Sequence, residues 1–164
     1  MVILKKGDCE HCRRFYRYSL WHSGFGDNSY AYCDQCGMLA TFDSSDPEVA
    51  ELPKTSLQYG EIEQSWEPFL RPCTCGGRFR KGASPRCPDC NQELSPTHAA
   101  THVEQQAVGT FRGWKWQNTW SGVYSMAVDD PEAPGNPRQM INPVLKPEVA
   151  KTKSRWSHPF SFFQ

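Results

Sequence analysis

The chain has 164 residues, 38% of them hydrophobic, and 18 lysines and arginines balance 18 aspartates and glutamates. That length suits one domain or two small ones, and the low apolar content, with six Trp, six Tyr and nine Phe, points to small aromatic-rich cores that need a staple. Zero formal net charge argues against the global basic excess of a dedicated nucleic-acid-binding domain, and no apolar stretch is long enough to span a membrane.

The first eight residues hold only four apolar side chains before charge begins, too few for the core of a signal peptide. The expectation is a cytoplasmic protein whose thiols stay reduced. Cys9-x-x-Cys12 is the first of four close cysteine pairs. Residues 13–21 are rich in strand-forming aromatics, and Gly24 to Asn28 form a turn cluster. Tyr30-Ala31-Tyr32 then lead into Cys33-x-x-Cys36. Gly37 suits a left-handed backbone that lets amides point at sulfur, and residues 38–42 read as a closing strand. These features predict an N-terminal unit over residues 1–43.

Residues 44–70 read as a connector. Asp46 before Pro47 is placed to cap one short helical turn over residues 48–52. Residues 61–70 predict a second short helix with Ile62, Trp66 and Phe69 or Leu70 on one side, stopped by Pro72. A second unit spans residues 71–130. It begins with the shortened pair Cys73-x-Cys75, whose tighter turn Gly76 and Gly77 relieve, and continues through a short strand, residues 78–80, to Cys87-x-x-Cys90. Ser95, Pro96 and Gly109 bracket a predicted helix over residues 97–108. Alternation then predicts a Trp-rich hairpin, with Trp114 and Trp116 on one strand face and Tyr124, Met126 and Val128 on a face of the next. Residues 131–164 are a tail rich in Pro and Lys, in which regular structure is disfavoured and only local docking is expected.

Taken consecutively, the pairs make two quartets: Cys9, Cys12, Cys33 and Cys36, then Cys73, Cys75, Cys87 and Cys90. A metal with four protein thiolates has no open position, so it organises a fold and does not activate water. Two structural Zn2+ ions are the expected cofactors. A tetrahedral S4 shell also suits iron. The arrangement resembles the zinc-ribbon group, on residues 9–36 and 73–90, with Cys33-Asp34-Gln35-Cys36-Gly37 and Cys87-Pro88-Asp89-Cys90 as typical knuckles. The resemblance implies a β-hairpin around each metal in a small bacterial-type protein. It is specific for fold and poor for function. The fold class expected is small, zinc-stabilised α+β: two zinc-ribbon β-hairpins, a short helix and the Trp-rich hairpin.

His11 lies between two ligands and is expected to point away from the metal, while His98 and His102, one helical turn apart, lack a third partner. Basic residues interleave with aromatics over residues 13–18, a pattern that can grip single strands but equally gives one buried and one solvated strand face. Three tryptophans within seven residues exceed what a small hairpin buries, so Trp114 and Trp120, beside Arg112 and Lys115, are the candidate partner-binding residues. No phosphate loop, nucleophile elbow or acid/base pair is recognisable, so no catalytic residue is assigned and no enzyme activity is expected. The function expected is a non-catalytic protein-interaction module, with an inhibitor or immunity protein that occludes its partner as one concrete form. The alternative is a nucleic-acid-associated zinc ribbon of transcription or translation.

Overall fold

The structure, a computed structural model, describes residues 4–22, 28–53, 60–95 and 124–146. Strands dominate, with short helical turns between them. In chain order the elements are β1 (Lys5–Asp8), β2 (Phe15–His22), β3 (Asn28–Cys33), β4 (Leu39–Asp43), α1 (Pro47–Ala50), β5 (Gly60–Glu61), a 3-10 helix (Gln64–Phe69), β6 (Phe79–Arg80), β7 (Tyr124–Val128) and β8 (Gln139–Ile141). The predicted helix over residues 97–108 and the predicted Trp strand lie outside the described residues, as do Arg112, Trp114, Lys115, Trp120, His98 and His102. No helix among the described residues is long and apolar enough to cross a membrane.

The strands form two sheets. One has the order β1-β2-β7, antiparallel throughout, with Lys5 opposite Tyr18 and Leu20 opposite Met126. The other has the order β5-β3-β4-β8, and β6 lies beside β5 on the same edge of β3. β3 and β4 are antiparallel, with Ala31 opposite Ala40, and β8 runs parallel to β4. Residues of the proline-rich stretch after 129 therefore extend this sheet, and Val144 beyond β8 is buried. Asp46 caps α1 as its sequence implied: its Oδ1 accepts from the Glu48 amide at 2.8 Å. Residues 61–70 predicted a second short helix, and there β5 is followed by a 3-10 helix over Gln64–Phe69 that carries Pro68 inside it.

The two cores follow from strand alternation. Tyr30 and Tyr32 of β3 and Leu39 of β4 turn toward the first sheet, where they pack with Tyr16, Tyr18, Met126 and Val128. Ala31 and Cys33 of β3, and Ala40 and Phe42 of β4, turn to the opposite side, where Val49, Leu52, Ile62, Leu70 and Phe79 cover them. The β3–β4 hairpin is thus a wall shared by two cores. The Trp66 ring meets Phe42 edge-on, at 5.7 Å between centroids, and its indole N–H donates to the Pro53 carbonyl at 2.8 Å.

A polar contact ties the sheets across the first core. The fully buried Tyr32 hydroxyl accepts from the Met126 amide at 2.7 Å. Tyr32→Phe leaves that amide without its partner and is expected to cost about 1–3 kcal/mol. Urea denaturation of the metal-loaded protein measures it as a lower midpoint at an unchanged slope.

Candidate metal centre

Each cysteine pair sits in a loop of one repeated design. In the three Cys-x-x-Cys loops the first cysteine's amide donates five residues ahead, Cys9 to Arg14, Cys33 to Met38 and Cys87 to Gln92, each at 2.9 Å. Its carbonyl accepts from the amide four residues ahead, from Arg13, Gly37 and Asn91, each at 3.0 Å. The shortened loop repeats this with one residue fewer: Cys73 donates to Gly77 and accepts from Gly76, both at 2.9 Å. In all four the accepted amide belongs to a residue with positive φ: 63° at Arg13, 69° at Gly37, 57° at Asn91 and 89° at Gly76. The loop is therefore a tight hairpin that turns both of its sulfurs to one side. The first joins β1 to β2, and the second joins β3 to β4.

These loops do not assemble as consecutive pairs. One quartet is Cys9, Cys12, Cys87 and Cys90, and the other is Cys33, Cys36, Cys73 and Cys75, so the second is nested inside the first along the chain. The expected grouping of Cys9/Cys12 with Cys33/Cys36, and of Cys73/Cys75 with Cys87/Cys90, is overturned. The physical reason is strand pairing. β2 leaves the first loop in one sheet, whereas β3 enters the second loop in the other, so the two strands are not partners. β6 instead pairs with β3, Phe79 opposite Cys33, and this sets the Cys73 loop against the Cys33 loop. The Asp34 amide donates to the Arg78 carbonyl, and the Asp34 carboxylate accepts from the Arg78 amide, each at 2.9 Å. Around the outer quartet, Ser95 donates to Glu10 Oε1 at 2.9 Å and Arg14 faces Asp89 at 3.4 Å.

The donor geometry fits a tetrahedral ion. A metal with four M–S bonds of about 2.3 Å sets its sulfurs about 3.8 Å apart. The sulfur separations are 3.7 Å for Cys9–Cys90 and for Cys12–Cys87, 3.5 Å for Cys33–Cys75 and 3.6 Å for Cys36–Cys73. Backbone amides face the sulfurs, among them His11 to Cys9 at 3.4 Å, Gln35 to Cys33 at 3.5 Å and Gly77 to Cys75 at 3.4 Å, which stabilises thiolate charge. Gly77 runs so close that a side chain there would begin 2.6 Å from the Cys33 sulfur.

Protonation chemistry points the same way. Burial raises the thiols of Cys9, Cys73 and Cys87, the last to about 12. Hydrogen bonding within the inner quartet holds Cys33 down to about 5 and pushes Cys36 up. Four sulfurs so close cannot all ionise by themselves, and a divalent cation removes that conflict. Both quartets could hold a metal ion, and soft tetrahedral S4 donors suit zinc or iron. His11 stays outside the outer quartet, with Nε2 at 3.2 Å from the Glu93 carbonyl oxygen.

The fold and the two quartets define a small, strand-rich protein with two closed four-thiolate sites. Residues 5–96, more than half of the chain and inclusive of all eight cysteines, match the family described as a domain of unknown function, DUF8255, and the chain belongs to that family. No curated protein and no solved structure matches it.

The nested grouping is open to a stoichiometric check. Cys12→Ser and Cys87→Ser act on the same shell, so combining them is expected to lower the metal count by no more than one ion per chain. Cys12→Ser with Cys33→Ser is expected to lose both ions. Elemental analysis of the folded proteins distinguishes the nested grouping from the consecutive one.

Proposed function

We propose that this protein is a non-catalytic protein-interaction module whose two sites each hold a structural Zn2+. The observation that carries the reading is the closed donor set: each quartet supplies four thiolates, which leaves a bound ion no position for water or substrate. Zinc is favoured over iron by its redox inertness in a purely structural role. The metal's contribution is fold energy, and what remains for function is the surface that the fold presents.

The distribution of basic residues supports a protein partner over nucleic acid. Arg17 is held by the buried Asp129 at 2.7 Å, Arg80 by Glu67 at 3.0 Å and Asp34 at 3.2 Å, and Lys81 by Glu63 at 2.7 Å. Arg86 faces Glu93 at 3.1 Å. Cations engaged with carboxylates offer little to a phosphate backbone, whose binding depends on unneutralised charge. The nucleic-acid reading has one observation in its favour. Phe15 is 66% exposed on β2, with Lys6 Nζ 3.9 Å from its ring centroid, an arrangement on which a base could stack.

Two measurements test the proposal. Protein isolated without added metal is expected to carry two zinc ions per chain, and iron in their place would overturn the zinc assignment. Affinity capture from the native host, with crosslinking, nuclease and moderate salt, is expected to retain a specific protein that is lost when a chelator strips the metal. Titration with single-stranded DNA and RNA at two salt concentrations addresses the alternative. Tight binding that falls roughly a thousandfold or more with salt, as for about six phosphate contacts, and is lost in Phe15→Ala would replace the protein-partner reading.

A further inference from the structure

We propose that the two metal sites are thermodynamically coupled through the contact of Gly37 with the Pro85–Arg86 backbone, so that each binds its ion more tightly when the other is filled. This rests on both quartets holding metal. It goes beyond that reading by making the pair one cooperative unit.

Gly37 closes the second cysteine loop, immediately after the inner ligand Cys36. Arg86 immediately precedes the outer ligand Cys87. The two backbones meet so closely that a Cβ on Gly37 would collide with the Arg86 amide nitrogen and stand 2.9 Å from both the Arg86 Cβ and the Pro85 carbonyl carbon. Left-handed φ does not by itself explain the glycine. The equivalent position is Arg13 in the first loop and Asn91 in the fourth, at φ of 63° and 57°, close to the 69° of Gly37. What separates Gly37 from them is the neighbour it faces. Gly76, at the same position of the shortened loop, has φ of 89° and nothing within 4 Å of where a side chain would start.

Arg86 carries the contact onward. Its Nη1 donates to the Asn91 carbonyl at 2.9 Å, across the fourth loop, and its Nη2 reaches Glu93 at 3.1 Å. The Pro85 carbonyl accepts from Leu94 at 2.9 Å on the far side of the same loop. A filled inner site fixes the second loop. That loop seats Pro85 and Arg86, and those residues brace the loop that presents Cys87 and Cys90. Coupling of this kind is reciprocal, because each ion changes the other's affinity by the same factor.

The test uses cadmium-113 as the probe. The full-length protein is expected to show one four-thiolate resonance per site, the outer one assigned by its loss in Cys90→Ser. A chelator series then reads each affinity separately. Cys36→Ser, which breaks the inner shell, is expected to weaken the outer site at least tenfold. Cys90→Ser is expected to weaken the inner site by a similar factor. Gly37→Ala keeps all eight ligands and is expected to weaken the outer site at least tenfold, with no further loss when Cys36→Ser is added. Gly76→Ala is expected to leave the outer site within twofold while the inner site remains loaded. Wild-type protein that takes up fewer than two ions contradicts the metal reading itself. Two-ion uptake by the wild type in which the outer affinity stays within twofold in Cys36→Ser and Gly37→Ala, and the inner affinity stays within twofold in Cys90→Ser, overturns the coupling and leaves that reading standing.

Discussion

The structure depends on a conflict between buried sulfur charge and the loops that create it. Each loop folds back on its first cysteine through two backbone hydrogen bonds and aims two sulfurs at one point. Two such loops then bring four sulfurs within 4.8 Å of one another. Without a cation this is an unfavourable arrangement of thiols and thiolates. A bound cation would turn it into a shell of four metal–thiolate bonds. In small zinc peptides such a shell contributes about 10–16 kcal/mol, as large as the whole net stability of an ordinary domain of about 5–15 kcal/mol.

On that scale, metal binding would let thin cores suffice. The β3–β4 hairpin divides the apolar interior into two, and each half contains ligands of one quartet: Cys9 and Cys87 in the first, Cys33 and Cys73 in the second. Tyr30 and Tyr32 supply bulk on one side of β3, while Ala31 leaves room on the other for Phe42 and its neighbours. Cysteine quartet and apolar core are therefore paired, with neither core standing apart from a quartet. The strands that complete the sheets after residue 123 lie beyond the segment that defines the family, yet β7 contributes Met126, Ala127 and Val128 to the first core.

Much of the local structure was legible in the sequence, because it is set by residues close together in the chain. Paired cysteines marked all four loops, Gly37 marked the left-handed turn of the second, and Asp46-Pro47 marked the start of α1. The left-handed Arg13 was not legible, because an arginine gives no such signal. The quartet partnership was illegible for a deeper reason. Equal loops can close with any other loop, and spacing alone does not choose among them. Only the pairing of β6 with β3, and the placement of β2 and β3 in different sheets, makes the choice. One signal did bear on it: Tyr30-Ala31-Tyr32-Cys33 alternates large with small and carries no charge, as a strand buried on both faces does. The Trp114, Trp120, Arg112 and Lys115 surface was read from composition and lies outside the described residues.

The nesting of the quartets also has a mechanical meaning. The outer shell joins the chain at Cys9 and Cys12 to the chain at Cys87 and Cys90, and Ser95 is hydrogen-bonded back to Glu10 beside it. With an ion bound in the outer quartet, tension applied between residues 8 and 95 would pass through its metal–thiolate bonds and bypass the closed loop of chain between them. The inner shell and the β3–β4 wall lie within that loop, sheltered from load until the outer clasp opens.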